Sequence, residues 1–208
     1  MSVLELSAKR AAEREKIAEV LRLAGSLTGK LLEDEVISSE EAEIVKYGLE
    51  NIGSNLLGLL VILAIGGCFR HLLDSFLLWL LIFPLRKNAG GFHAKTKTRC
   101  MLVSAGMLIV SFICLVWIEW TKATYILIAA IFLGIIFFMA PVGNQNKLLD
   151  EMEQKVYRKR TRIVLFLESM LLILACVFDW KELLMVITMC FSIVGMTILA
   201  GKIKLWLR

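Results

Sequence analysis

Six apolar stretches, each near the length needed to cross a bilayer, recur along the 208-residue chain: Leu49–Phe69, Leu72–Leu85, Met101–Ile118, Ala123–Pro141, Ile163–Phe178 and Leu183–Ala200. A membrane span needs about 17–25 mostly apolar residues. The second stretch has 14, so it is expected to be tilted, buried or partly re-entrant. Hydrophobic residues make up 58% of the chain, against about 45–50% in soluble domains. A single core of this size cannot hide so much apolar surface from water. A soluble enzyme, a secreted disulfide scaffold and a disordered chain are thereby excluded. The expected fold is all-α: an integral membrane six-helix bundle over residues 47–208, preceded by a cytoplasmic amphipathic helical segment over residues 1–46.

Charge placement supplies the topology. With residues 1–48 in the cytoplasm and six crossings, 21 of the 24 basic residues fall inside and only Arg70, Lys122 and Lys181 outside. Basic residues concentrate on the cytoplasmic side of membrane proteins, so both termini are expected there. The net charge of +5 is too modest for a nucleic-acid partner. Eleven acids precede residue 51, which does not fit the basic start of a signal peptide. Ile17, Val20, Leu21, Ala24, Leu27 and Leu31 recur at three- and four-residue steps, giving one apolar helix face. That face suits a helix lying on the membrane or the bundle, or a groove for an amphipathic partner peptide. Ser38 and Glu41 have capping-box spacing and are expected to start the helix that runs into the first span.

The five cysteines, Cys68, Cys100, Cys114, Cys176 and Cys190, form no CxxC pair. Four lie in apolar runs, where cysteine usually serves as a small hydrophobe. Cys100 instead ends the basic polar loop Arg86–Cys100, which also holds His93, Gly90 and Gly91. A cysteine nucleophile acts as the thiolate, and an ordinary thiol is only about 3% ionised at neutral pH. Lys97 and Arg99, a proton-accepting His93 and the start of the third span all favour the anion here. In one straight helix, residues seven apart are separated by roughly 10 Å along the axis. A His93–Cys100 dyad therefore requires a break between them or a loop that folds back. Gly90 and Gly91 provide backbone freedom for it, and amides near them are candidate oxyanion donors. The plain alternative is a positive-inside loop whose histidine and cysteine are incidental.

Other chemistries find no support. HExxH, G-x-S-x-G, P-loop and GxGxxG motifs are missing, and two histidines without an acidic cluster give little to a metal. No cofactor is expected. Cys68 and His71 stand three apart, a spacing that would place them on one helix face, but at the outer boundary. Glu168 lies within the fifth stretch, and ionisable groups in the bilayer are functional candidates. It could pair with a basic loop residue, orient His93, hold a substrate group or sit near the interface. Asp74 is open in the same way. The basic loop 142–162 suits anionic lipid or an acidic peptide tail, and its Asn144, Gln145 and Asn146 could orient His93 or serve an oxyanion.

The run Arg86, Ala89-Gly90-Gly91, His93-Ala94 and Cys100 resembles the signature of the accessory gene regulator B (AgrB) family, bacterial membrane cysteine peptidases of quorum sensing. Lys46-Tyr47-Gly48-Leu49-Glu50, before the first span, is similar to the family's corresponding segment. So is Ala140-Pro141 with the Asn-rich basic loop after it. The resemblance implies a precursor peptide with an amphipathic leader, a core and an acidic C-terminal tail. It implies His93 as general base and Cys100 as nucleophile. The tail would leave, the core would stay as a thioester on Cys100, and the core's own thiol or hydroxyl would then close a thiolactone or lactone. Arg86, Lys97, Arg99, Asn144 and Glu168 are candidate substrate contacts. The family suggests a homodimer, although no span carries a clear GxxxG face. The rival readings are a small peptide transporter without covalent chemistry and a scaffold for other membrane proteins.

Overall fold

A computed structural model describes residues 25–29, 32, 38–92, 97–118, 120–143 and 150–206. Among them six long helices occur and no strand: α1 (Ser39–Cys68), α2 (Leu72–Ala89), α3 (Lys97–Trp117), α4 (Lys122–Met139), α5 (Glu151–Val177) and α6 (Lys181–Trp206). The all-α expectation holds. Most of the apolar pattern expected over residues 17–31 lies outside the described residues. The domain boundary expected after residue 46 falls inside the continuous α1.

Helix starts follow local chemistry. Ser38 and Glu41 form the expected box: Ser38 N–H donates to Glu41 Oε2 at 2.9 Å, and Glu41 N–H to Ser38 Oγ at 3.3 Å. Thr121 Oγ1 caps α4 by accepting from Thr124 N–H at 3.3 Å. At α5, Asp150 N–H donates to Glu153 at 3.3 Å. Each satisfies amides that the first helical turn leaves without partners.

The described residues fall into two compact units. One comprises residues 1–61 and 96–101, the other residues 62–95 and 102–208. The first holds most of α1 and the opening of α3. In the second, α6 packs against α2, α4 and α5. Its side chains from Leu184 to Phe191 are buried without interruption. Of the most apolar 18-residue window in α6, 72% is buried, against 11% in α4. A helix apolar all round belongs inside a bundle, so α6 is the central helix of this unit and α4 shows most of its apolar surface outward.

By length and composition, α4, α6 and residues Glu41–Cys68 of α1 suffice to cross a membrane. The other three expected spans do not meet that measure. Asp74, Arg86 and Lys87 put three charges on the 18-residue α2. The apolar part of α3, Leu102–Cys114, is short. The first three turns of α5 are highly charged.

The turn between α1 and α2 corrects one expectation. α1 ends at Cys68, and Arg70 takes a left-handed backbone (φ 63°). Cys68 and His71 therefore share no helix, and their three-residue spacing carries no facial meaning. His71 Nδ1 meets Asp74 Oδ2 at 2.7 Å instead. The five cysteines are free thiols.

Near the end of α5, Asp179 meets Lys122 of α4 at 2.8 Å. The donating, positively charged Lys122 holds the Asp179 carboxyl below the usual carboxylate range, with Lys181 adding to the effect. A depressed folded-state pKa contributes stability at neutral pH that is lost as pH falls through it. The small gap expected between the unfolding midpoints of wild type and Asp179→Asn should therefore close below about pH 4. A gap that widens in acid would contradict this pairing.

Candidate active site

The loop after α2 is shaped by its backbone. Asn88 Nδ2 donates to Pro84 O at 2.7 Å within the last turns. Gly90 then takes φ 69° and Gly91 φ 126°, conformations that L side chains rarely adopt. A Cβ on Gly90 would run into the Val142 carbonyl oxygen. Val142 follows α4 and the cis Ala140–Pro141 bond. Its N–H donates to Ala89 O at 3.0 Å, and its carbonyl accepts from Gly91 N–H at 3.4 Å.

Phe92 is held at three points. Its N–H donates to the Thr197 carbonyl of α6 at 2.7 Å. Its carbonyl accepts from Arg86 Nη2 of α2 at 3.3 Å. The Lys204 ammonium lies 4.8 Å from its ring centroid, within cation–π range. Thr197, Gly201 and Lys204 stand at i, i+4 and i+7 on one face of α6, the bed on which residues 91 and 92 lie. Gly201 is the point of closest approach: a Cβ there would lie 2.9 Å from both Gly91 C and Phe92 N.

These contacts place the expected site residues as follows. Gly90 and Gly91 shape the loop. Their amides already donate, Gly90 N–H to Arg86 O at 3.0 Å and Gly91 N–H to Val142 O, so these two are not open to an oxyanion. Arg86 braces Phe92, the residue before His93. His93 itself and Asn144 lie outside the described residues. Lys97 opens α3 and Arg99, two residues on, is exposed. Cys100 sits in the first turns of α3 as a partly buried free thiol. No acid occupies that first turn, so the positive end of the helix dipole is not offset there.

Glu168 is 3% exposed on the buried face of α5, within electrostatic reach of Cys190 on α6. Neither of its carboxyl oxygens has a hydrogen-bond partner among the described residues. It is packed inside the protein. An orphaned buried polar group costs about 1–3 kcal/mol. Glu168→Leu, similar in volume, is expected to raise the thermal midpoint of the detergent-solubilised protein. A lower midpoint would mean that the carboxyl is satisfied by a group such as a bound water.

Phe92, Val142, Thr197, Gly201 and Lys204 were not singled out by the sequence. The available signals were weak: a glycine late in an apolar helix, with a threonine four residues before it and a lysine three after.

Apolar helices with exposed hydrophobic faces and a glycine-shaped loop before a cysteine-bearing helix define an all-helical membrane protein with a built polar loop. The chain belongs to the accessory gene regulator B family, whose model matches residues 24–200. Membership supports a role in quorum-sensing peptide processing. The chain is 27% identical over 172 residues to Protein FsrB of Enterococcus faecalis, covering 80% of this chain and 68% of that protein. It is 26% identical over 175 residues to Putative AgrB-like protein 2 of Clostridium perfringens, covering 73% and 79%. No solved structure matches.

Proposed function

We propose that this protein is a membrane cysteine endopeptidase that removes the C-terminal tail of a signal-peptide precursor and cyclises the remaining core. The observation that best supports it is the interruption between α2, ending at Ala89, and α3, beginning at Lys97. A single straight helix would hold His93 and Cys100 roughly 10 Å apart, so the reading requires that residues 93–96 do not extend α3 back to His93. The start of α3 at Lys97 sets Cys100 near the positive end of a helix. Both termini and the loop face the cytoplasm in this reading, with six crossings, and a homodimer is part of it. The substrate is a precursor with an amphipathic leader and an acidic tail, drawn to the basic loops.

The steps balance as acyl transfer. His93 takes the Cys100 proton and Cys100 Sγ attacks the carbonyl at the core–tail junction. The C–N bond breaks, and the tail leaves as an amine carrying the proton from His93. The core is now a thioester on Cys100. Its own thiol or hydroxyl gives its proton to the now neutral His93 and attacks that carbonyl, releasing the Cys100 thiolate and closing a thiolactone or lactone. Water would divert the thioester to hydrolysis, so a dry pocket favours the ring.

Intact-mass analysis of a candidate precursor, incubated with the protein in membranes, tests the reading. Tail loss with a core one water lighter than the hydrolysed core supports coupled cleavage and cyclisation. A precursor that binds but keeps its mass overturns it and favours a peptide transporter, the reading that the buried Glu168 would suit.

A further inference from the structure

α5 carries a face that neither the catalytic loop nor the bundle core uses. Thr161, Leu165, Glu168 and Ala175 turn toward the core. On a different face, Lys155, Arg158, Lys159 and Arg162 line a groove of about 430 Å³. Their i, i+3, i+4, i+7 spacing puts all four cations on one stripe about 10 Å long. The acids of the helix lie elsewhere: Asp150, Glu151 and Glu153 in its N-terminal cap and first turn, and Glu168 on the core face.

The far end of the groove is apolar, lined by Ile163, Phe166 and Leu167. Met170, Ile173, Leu174 and Val177 extend the same stripe, and all of these side chains are exposed. From residue 163 to 177 the apolar part runs about 21 Å along the axis. Arg162 is anchored as well, 4.6 Å from the Phe137 ring centroid of α4.

We propose that this stripe is a binding site for one anionic phospholipid. The phosphate lies among Lys155, Arg158 and Lys159, and the acyl chains lie along Ile163, Phe166 and Leu167. The order of chemistry carries the assignment. A phospholipid presents negative charge and then hydrocarbon over a leaflet's thickness, and the stripe presents positive charge and then hydrocarbon over a similar length. A soluble acidic peptide would match the cations and leave the 21 Å of apolar surface unused.

The experiment uses the full chain in a neutral detergent. Native mass spectrometry counts bound lipid on titration with phosphatidylglycerol, phosphatidylcholine, glycerol 3-phosphate or an oligoglutamate peptide. The test variant is Lys155→Gln/Arg158→Gln/Lys159→Gln, which leaves the Arg162–Phe137 stack intact. The control Lys46→Gln/Arg70→Gln/Lys181→Gln removes the same charge elsewhere. Each interfacial cation contributes roughly fivefold to anionic-lipid binding, so the test variant is expected to lose at least tenfold in phosphatidylglycerol affinity, and the control under twofold. Phosphatidylcholine and glycerol 3-phosphate are expected to bind weakly. Equal phosphatidylglycerol binding by wild type and test variant would overturn the proposal. So would glycerol 3-phosphate binding as tightly as the lipid, or oligoglutamate displacing the lipid through the same three cations. If the test variant loses its helical circular dichroism, the salt dependence of wild-type binding decides: affinity must fall as ionic strength rises.

Discussion

Replacing Cys100 by serine is expected to slow tail release from a precursor by at least about a thousandfold while leaving precursor binding within twofold. A hydroxyl at this position keeps the shape but is far less readily ionised than a thiol, so the attacking anion is lost. His93→Ala should cause a loss of similar size, because the thiol then has no base. The decisive comparison is the double variant. Two residues that act as a unit are strongly non-additive, so Cys100→Ser/His93→Ala should be no slower than the worse single variant. Multiplicative losses in tail release, measured by mass spectrometry over a time course, would rule out a dyad. Normal tail release by Cys100→Ser would rule out the nucleophile.

Gly201→Ala carries the second large effect, although residue 201 is 101 positions from Cys100. Its Cβ would lie 2.9 Å from backbone atoms of Gly91 and Phe92. Backbone gives way less cheaply than a side-chain tip, so the loop must move or α6 must shift. A misplacement of about 1 Å in a catalytic group can cost on the order of a hundredfold in rate. The expected result is a kcat reduced roughly a hundredfold with KM within about twofold. Gly134→Ala is the control. A Cβ there meets nothing within 4 Å, and alanine in a helix interior is favoured over glycine by about 0.5–1 kcal/mol.

A readout independent of turnover accompanies it. The chain has two histidines, and His71 is held by Asp74 at 2.7 Å. Carbethoxylation of His93 relative to His71 should change severalfold in Gly201→Ala. If both kcat and that ratio match wild type, the bed on α6 does not position the loop.

What the sequence revealed and what it hid have physical causes. Helices were legible because long apolar runs have few alternatives, and Ser38 with Glu41 announced the start of α1 through side chains. Gly90-Gly91 announced a departure from helix because only glycine tolerates those angles. The grip on that departure was hidden, since it is made by the carbonyls of Val142 and Thr197, and every residue has a carbonyl. The central place of α6 was hidden for another reason: leucine, isoleucine and valine serve equally against lipid and against other helices. Cys68 and His71 misled because helical spacing was applied across a turn that a left-handed Arg70 creates. The three sequence stretches that fall short as spans are those where charge or helix length limits the apolar run.

The bed on α6 also bears on the order in which this protein is made. Residues 86–92 leave the ribosome about a hundred residues ahead of Thr197, Gly201 and Lys204, which fix them in place. Until the last helix is synthesised and packed, the loop lacks its floor and Phe92 lacks two of its three holds. A nascent or truncated chain would carry the cysteine without the support that organises the loop before it. An organised loop before the cysteine would thus arrive only with completion of the fold, and on the proposed function so would the peptidase activity.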